Sequence, residues 1–261
     1  MLLETVIIVL REVLEAALII SILLSSNLLF DESQRWIAPS IAGGVMMSLL
    51  QAWKLGWISE QFDGRGQEFA FVALLLTVSF CLLWRIVDLI VRPLRAIPAA
   101  YYGVPLGMAV ALAISREGAE IFIYGYAFTA HLDSIFNVVL GCIIGGGIGI
   151  SVGVLCYYLL TLLHRRWLSA VLVSMLTLIS AGMMAQAIMN LMQAGVIESQ
   201  MPLWDSSGVI AEASMTGQLL YALIGYEATP TPWQATAYGA ILALVLATVA
   251  GNSIRGKGRQ S

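Results

Sequence analysis

Long apolar runs constrain this chain more than any other feature of its sequence. A helix that crosses a membrane needs about 20 consecutive, mostly apolar residues. Seven stretches approach or meet this requirement: Leu2–Ser25, Ile37–Trp57, Phe69–Val91, Tyr102–Phe128, Asn137–Leu163, Leu168–Met192 and Trp233–Asn252. They are too long and too continuous for the alternating pattern of a transmembrane barrel strand. We therefore expect an all-α, polytopic transmembrane bundle of seven helices, forming a single membrane domain over residues 1–261.

The composition supports this expectation. Hydrophobic residues make up 59% of the chain and charged residues only 11%, whereas a soluble domain carries about 25% charged residues. The mean hydropathy is +0.88, so membrane lipid is the expected partner of most of the surface. The formal net charge of -3 gives no electrostatic basis for binding nucleic acid. Charges interrupt the first apolar run, which favours a retained helix over a cleaved signal peptide.

The distribution of Lys and Arg predicts the orientation. Basic residues follow the third, fifth and seventh runs, for example Arg92, Arg166 and Arg255. With seven spans these places lie on one side, which the positive-inside rule assigns to the cytoplasm. We expect the N-terminus outside and the C-terminus inside, in a bacterial cytoplasmic (inner) membrane. The loop at 193–232 has no Lys or Arg and is expected outside, with a helix at the membrane surface.

A short charged motif occurs twice inside the apolar runs. It reads Arg-Glu-x-x-Glu at 11–15 and again at 116–120, and a glycine cluster follows each copy by about thirty residues. We predict a first repeat of three helices over 1–100 and a second over 101–192. Because three spans is an odd number, the second repeat is inserted upside down relative to the first. Residues 233–261 then add a seventh helix and a cytoplasmic tail.

The chemistry of the motif predicts a cation site. A charge at the bilayer centre costs roughly 2.5–3.5 kcal/mol, so six such charges require partners. In a helix all three charged positions share one stripe, and each Arg can pair with the Glu four residues later. Converging carboxylates suit hard cations, including ferric iron, magnesium, calcium and manganese, and tolerate ferrous iron. An internal salt bridge that only fixes helix packing is the alternative, although buried ion pairs stabilise poorly. The predicted metal-binding residues are Glu12, Glu15, Glu117 and Glu120, and the motif arginines are Arg11 and Arg116.

The doubled motif in the first and fourth of seven helices, with a long sixth loop, resembles the bacterial EfeU-type permeases of the oxidase-dependent iron transporter (iron/lead permease) family. The stretch Leu203-Trp204-Asp205-Ser206-Ser207 and the pair Gly225-Tyr226 are also similar to that family. Two places depart from it: Val13 stands where the family usually has Gly, and Phe71-Val72 where it has Glu-Gly. The resemblance implies an iron permease whose motif glutamates form the metal path. Iron is then the transported substrate, and no tightly bound cofactor is expected.

Other polar residues are weaker candidates for the pathway or its outer access. These are Glu60, Asp63, Glu68, Gln186 and Asp205. Glu60, Asp63 and Glu68 could equally form a solvated outer loop, and Asp205 could equally cap a helix. Gln186 could equally form a hydrogen bond between helices. No Walker motif is present, and we expect a transporter rather than an enzyme. The alternatives are a permease for another divalent metal, such as lead or manganese, a membrane redox or metal-binding subunit, and a structural subunit. Periplasmic iron-delivery or redox proteins are possible partners.

Overall fold

The fold is all-helical across the residues that this computed structural model describes, which are 2–30, 33–91, 103–129 and 135–257. No strand occurs in these ranges. The helices are α1 Leu2–Asn27, α2 Ile37–Trp53, α3 Leu55–Gly64, α4 Gly66–Val91, α5 Gly103–Thr129, α6 Ile135–Thr161, α7 Arg165–Gln193, α8 Met215–Ile224 and α9 Pro232–Lys257. The expected all-α architecture is confirmed.

Among the described residues, four helices are long and apolar enough to cross a membrane: α4, α6, α7, and α9 over Pro232–Ser253. This indicates a multi-pass membrane protein. Helices α1 and α5 are equally long, at 26 and 27 residues, but they carry the motif charges. Helix α2 is also apolar, although it has only 17 residues.

The second apolar run is divided, which the sequence did not predict. Helix α2 ends at Trp53, Lys54 leaves helical geometry, and α3 follows directly. Helix α3 has no buried residue and ends in left-handed backbone at Phe62 and Asp63. At Gly66 the chain passes so close to α3 that an added Cβ would lie 1.8 Å from the carbonyl oxygen of Ile58. The chain therefore reverses tightly into α4.

Three helix pairs form the body of the bundle: α1 packs along α6, α2 along α5, and α4 along α7. Glycines allow the first two pairs to approach closely. A Cβ at Gly145 would lie 2.6 Å from the carbonyl oxygen of Val6, and one at Gly44 would lie 2.7 Å from that of Ala111. The glycine clusters therefore place α6 against α1 and α2 against α5. Helices α1 and α5 are the two that carry the motif.

Helix α8 is the helix expected in the long loop, and it packs against α1 and α7 rather than lying only on the surface. Ser214 caps its start by accepting a hydrogen bond from the Gly217 amide at 3.0 Å. Gly225 ends it in the left-handed conformation. A Cβ at Gly225 would lie only 2.3 Å from the Cα of Gly182. The absence of side chains at this contact brings α8 against α7.

The loop around α8 folds back on itself through the stretch 203–207 and the residues that follow Gly225. The Leu203 amide donates to the Pro230 carbonyl at 2.8 Å. The Tyr226 hydroxyl donates to the Ile210 carbonyl at 3.0 Å and lies 2.8 Å from the Ser206 hydroxyl. These bonds fix the chain on both sides of α8, and with it the position of α8 over the bundle.

Candidate functional site

The motif residues lie near the middle of α1 and α5 and converge inside the bundle. Glu12 and Glu117 are almost fully buried, with 2% and 1% exposure. One carboxylate oxygen from each of Glu12, Glu117 and Glu120 lies within 4.8 Å of the other two. Carboxylates from both motif copies therefore meet at one place.

Both expected ion pairs within the motif are present. Arg11 Nε lies 3.4 Å from Glu15 Oε1, and Arg116 Nη2 lies 2.8 Å from Glu120 Oε1. Arg116 Nη1 also contacts Glu117 Oε1 at 2.8 Å and Glu15 Oε2 at 3.5 Å. Glu15 therefore lies between the two arginines, whereas the other three carboxylates converge on each other. The four glutamates are not equivalent in this conformation.

Several buried polar atoms in this cluster have no hydrogen-bond partner among the described residues. They are Glu12 Oε2, Glu117 Oε2 and Arg116 Nε. With every group ionised, four carboxylates and two guanidinium groups leave an excess of two negative charges. Buried oxygens without partners and an excess of negative charge both favour a bound cation.

A polar cavity of about 320 Å³ reaches this cluster. It lies at the end of the bundle where α4 begins and α5 and α7 end. Its lining residues are Gln67, Phe71, Arg116, Glu120, Ile123, Tyr124, Gln186, Met189, Asn190, Gln193, Tyr221 and Glu227. The pair Arg116–Glu120 is the part of the lining that belongs to the charged cluster. The cavity therefore connects one end of the bundle with the carboxylates.

Among the residues at the site that were not predicted from the sequence, Tyr221 and Glu227 make specific contacts. The Arg11 guanidinium lies over the Tyr221 ring, 4.2 Å from its centre, a cation–π contact. Glu227 lines the cavity and accepts a hydrogen bond from the Gln234 side chain. Burial and the neighbouring Glu212 raise the pKa of Glu227 to about 7. Both residues belong to the long loop between α7 and α9. Tyr221 lies on α8, and Glu227 lies in the irregular chain that follows it.

The weaker candidates fall in different places. Gln186 lines the cavity, and its buried Oε1 has no hydrogen-bond partner among the described residues. Glu60 and Asp63 are exposed on α3, away from the cavity lining. Glu68 is half-buried near the start of α4, where its neighbour Gln67 lines the cavity instead. The structure therefore brings only Gln186 of these four to the cavity.

Asp205, the fifth of these candidates, is exposed and stabilises a turn of its own loop. Its carboxylate accepts a hydrogen bond from the Ser207 amide at 2.9 Å. Hydrogen bonds from the Ser207 side chain and amide lower the pKa of Asp205. It caps this turn, not a helix, and it does not line the cavity.

A bundle of apolar helices with a buried carboxylate cluster and a polar cavity leading to it is typical of membrane transporters for cations. Comparison with known proteins specifies the family. The sequence model of the Iron permease FTR1 family matches residues 85–257, which is more than half of the chain and includes the second motif. The chain belongs to this family of iron permeases.

A curated relative extends the likeness to nearly the whole chain. The ferrous iron permease EfeU of Escherichia coli O6:H1 (strain CFT073) is 29% identical over 246 residues, which cover 86% of each chain. No solved structure matches the chain.

Proposed function

We propose that this protein moves iron across a bacterial inner membrane through the glutamate cluster formed by its two motifs. The observation that carries the proposal is the meeting of Glu12, Glu117 and Glu120 beside a cavity open to one end of the bundle. Iron would pass from the cavity to Glu120 and then to the buried pair Glu12 and Glu117. The arginines neutralise part of the carboxylate charge when no ion is bound. Periplasmic iron-delivery or redox proteins would supply the ion.

The geometry of the carboxylates is close to that of an ion site. An ion with six oxygen ligands about 2.1 Å away holds opposite oxygens about 4.2 Å apart. Adjacent ligands of such an ion lie about 3.0 Å apart, and only one pair among three ligands can be opposite. The three oxygens here lie within 4.8 Å of each other, so shifts on the order of an ångström would bring them around one ion. With all six groups ionised, the excess of two negative charges would match a divalent ion such as ferrous iron. Lead and manganese remain the alternative substrates.

Sequence spacing supports seven spans built as two inverted repeats plus one helix. Arg116 follows Arg11 by 105 positions, whereas Gly145 follows Gly44 by 101. The difference of four equals the difference in loop length, since nine residues (28–36) separate α1 from α2 and five (130–134) separate α5 from α6. Helix α1 thus corresponds to α5 with an offset of 105. With an offset of 101, α2 corresponds to α6 and α4 to α7.

Side-chain contacts support the same correspondence. Ser79 on α4 and Ser180 on α7 are 101 positions apart, and their hydroxyls lie 2.8 Å from each other. Each hydroxyl also points to the carbonyl oxygen of the other residue, at 3.3 and 3.4 Å. Such reciprocal contacts are expected where a two-fold axis passes between equivalent helices. An axis in the membrane plane agrees with an N-terminus outside and a C-terminus inside.

The departure at Val13 has a counterpart across the same relation. In the second motif, a Cβ at Gly118 would lie 2.7 Å from the Ser48 Cβ of α2. In the first motif, a Cβ at Gly149 of α6 would lie 2.9 Å from Val13 Cγ1. Each contact pairs one glycine with one larger side chain. In the second motif the glycine lies on the motif helix α5, whereas in the first it lies on the partner helix α6. Val13 is therefore compatible with the close approach of α1 and α6, because the glycine at this contact lies on α6 instead of α1.

Iron uptake by the purified protein in liposomes tests the proposal. Glu12→Gln and Glu117→Gln should each reduce uptake of radioactive iron to background, because each removes a converging carboxylate. Glu60→Gln, on the exposed face of α3, is the matched control and should transport normally. Normal iron uptake by both buried variants would refute the proposal. A competing panel of lead and manganese determines the preferred ion. A merely structural role predicts loss of assembly, seen by size-exclusion chromatography, in place of loss of flux.

A further inference from the structure

The cavity opens at only one end of the bundle, and the repeat correspondence locates its equivalent at the other end. The lining residues on α4, α5 and α7 map onto α7, α1 and α4 by the offsets of 101 and 105. Thus Phe71 corresponds to Leu172, and Tyr124 corresponds to Ile19. Six such counterparts are Leu18, Ile19, Arg85, Asp88, Leu168 and Leu172. All six are buried, with at most 7% exposure.

The apolar members of this set fill the space that is open on the other side. Ile19, Leu168 and Leu172 belong to one packed cluster of buried side chains. Their counterparts across the repeat relation line a cavity of about 320 Å³. The space equivalent to the cavity is therefore filled by side chains in the other half of the bundle, and the cavity at that end, between α4, α7 and α9, does not include these six residues in its lining.

The charged members form a buried pair that apolar packing alone does not explain. Arg85 Nη1 lies 2.9 Å from Asp88 Oδ2. Arg85 also donates to the Ser26 hydroxyl at 3.0 Å and to Asn27 Oδ1 at 3.2 Å, so it ties α4 to the last turn of α1. A buried ion pair is a poor stabiliser compared with apolar residues of similar volume. Ionisable residues inside a membrane helix commonly mark an ion path. Their counterparts on the open side are the uncharged Gln186 and Met189.

We propose that iron leaves the glutamate cluster between α1, α4 and α7, along a path closed here by an exit gate. The exit gate consists of Leu18, Ile19, Leu168 and Leu172 and the ion pair Arg85–Asp88. Opening this gate while the cavity closes exchanges the states of the two repeats, as alternating access requires. Glu15, the counterpart of Glu120, then becomes the carboxylate on the open side. This inference rests on the proposed function for the identity of the ion. The position of the gate is argued from burial and contacts alone and does not depend on which ion is transported.

Thiol labelling at one pair of equivalent positions tests the gate. The parent is the full chain with Cys81, Cys142 and Cys156 replaced by Ala, into which Tyr124→Cys or Ile19→Cys is introduced. A membrane-impermeant maleimide is applied to spheroplasts and to inverted membrane vesicles. Position 124 should react from the side on which the cavity opens, and position 19 should react slowly from both sides. Rapid reaction at position 19 from the cavity side would overturn the proposal.

The second arm converts the sealed half toward its open counterpart. Arg85→Gln together with Asp88→Met gives the gate the same residue types as Gln186 and Met189, their counterparts on the open side. Because both charges are removed together, no unpaired charge remains. Because a minor conformer is populated at roughly 0.1–10%, making it dominant should raise labelling at position 19 by about tenfold or more, from the side opposite the cavity. Labelling at position 124 should fall in parallel. Unchanged labelling at both positions in a monodisperse protein would contradict the gate.

A milder variant covers the case in which the double variant does not fold. Arg85→Lys keeps the charge but cannot reach Asp88, Ser26 and Asn27 together through a planar fork. It should raise labelling at position 19 by a smaller factor, and no change would again count against the gate. Labelling needs no iron, so its outcome is independent of the uptake measured with Glu12→Gln. Failure of the gate and failure of the proposed transport are thus separate results.

Discussion

The contact between α1 and α6 at the first motif provides a quantitative test of the packing that holds the site. In Gly149→Ala the new Cβ would lie 2.9 Å from Val13 Cγ1, 3.1 Å from its Cβ and 3.2 Å from the Leu14 amide nitrogen. Carbon atoms at rest lie about 3.5–4.0 Å apart. Val13 is β-branched and has little rotamer freedom in a helix, so the helices must separate. Overpacking of this kind costs about 1–3 kcal/mol.

Gly146→Ala is the matched control, because a Cβ at Gly146 has no atom within 4 Å. Both variants gain the same helix propensity from alanine, so the difference between them isolates the clash. For 150–250 residues, 1 kcal/mol corresponds to about 2–4 °C in Tm. We expect Gly149→Ala to unfold several degrees below Gly146→Ala in detergent.

The double variant Val13→Ala/Gly149→Ala completes the cycle. Removing the Val13 methyl groups eliminates the closest contact, so the cost of Gly149→Ala should fall by about 1 kcal/mol in this background, within the range expected for contacting residues. Equal stability of Gly149→Ala and Gly146→Ala would refute the packing of α1 on α6 at this position. Full additivity in the double variant would show that Val13 is not the side chain in contact.

Two further predictions concern the loop residues at the site. Burial and Glu212 raise the pKa of Glu227 to about 7, so its ionisation opposes folding as the pH rises from about 4.5 to 7. Glu227→Gln should therefore be more stable than the wild type at pH 8, by at most about 3 kcal/mol, with no difference below about pH 4; a constant difference in Tm across this range would contradict the assignment. Tyr221→Leu removes the aromatic face beneath Arg11, a contact of about 0.5–2 kcal/mol. It should reduce iron uptake several-fold, whereas Tyr221→Phe should retain normal uptake. Equal uptake by the two variants would show that the contact between Arg11 and the ring is not needed for transport.

Much of the fold and the centre of the site could be predicted from the sequence, because both follow from strong local patterns. Apolar runs indicate the helices, and the spacing Arg-Glu-x-x-Glu places three charges on one stripe. The sequence contains the glycine clusters but does not show which helices they bring together; the approach of α6 to α1 at Gly145 is visible only in the structure. What the patterns do not contain is the separation of Glu15 from the other three glutamates. That depends on Arg116 reaching across from α5 to Glu15 at 3.5 Å, a contact between α5 and α1 that no spacing within one helix specifies.

Access to the site was the least predictable part, because it depends on where the loop folds back. The acidic residues Glu60 and Asp63 suggested an outer route, yet they lie on an exposed short helix. Glu227 lines the cavity instead, because the bonds of Tyr226 and the left-handed Gly225 return the chain over the bundle. A carboxylate in an aperiodic loop has no pattern that indicates its neighbours.

Helix α8 is one source of difference between the two proposed halves of the bundle. It packs against α1 and α7, and its Tyr221 contacts Arg11 of the first motif. In the described part of the chain, α4 and α5 contact each other more extensively than α1 and α7, the equivalent pair. Arg116 contacts Glu117, Glu120 and, at longer range, Glu15, whereas Arg11 contacts Glu15, Glu12 and an aromatic ring. The two copies of the motif thus have different surroundings in this structure, and α8, which lies outside both proposed repeats, contributes to that difference.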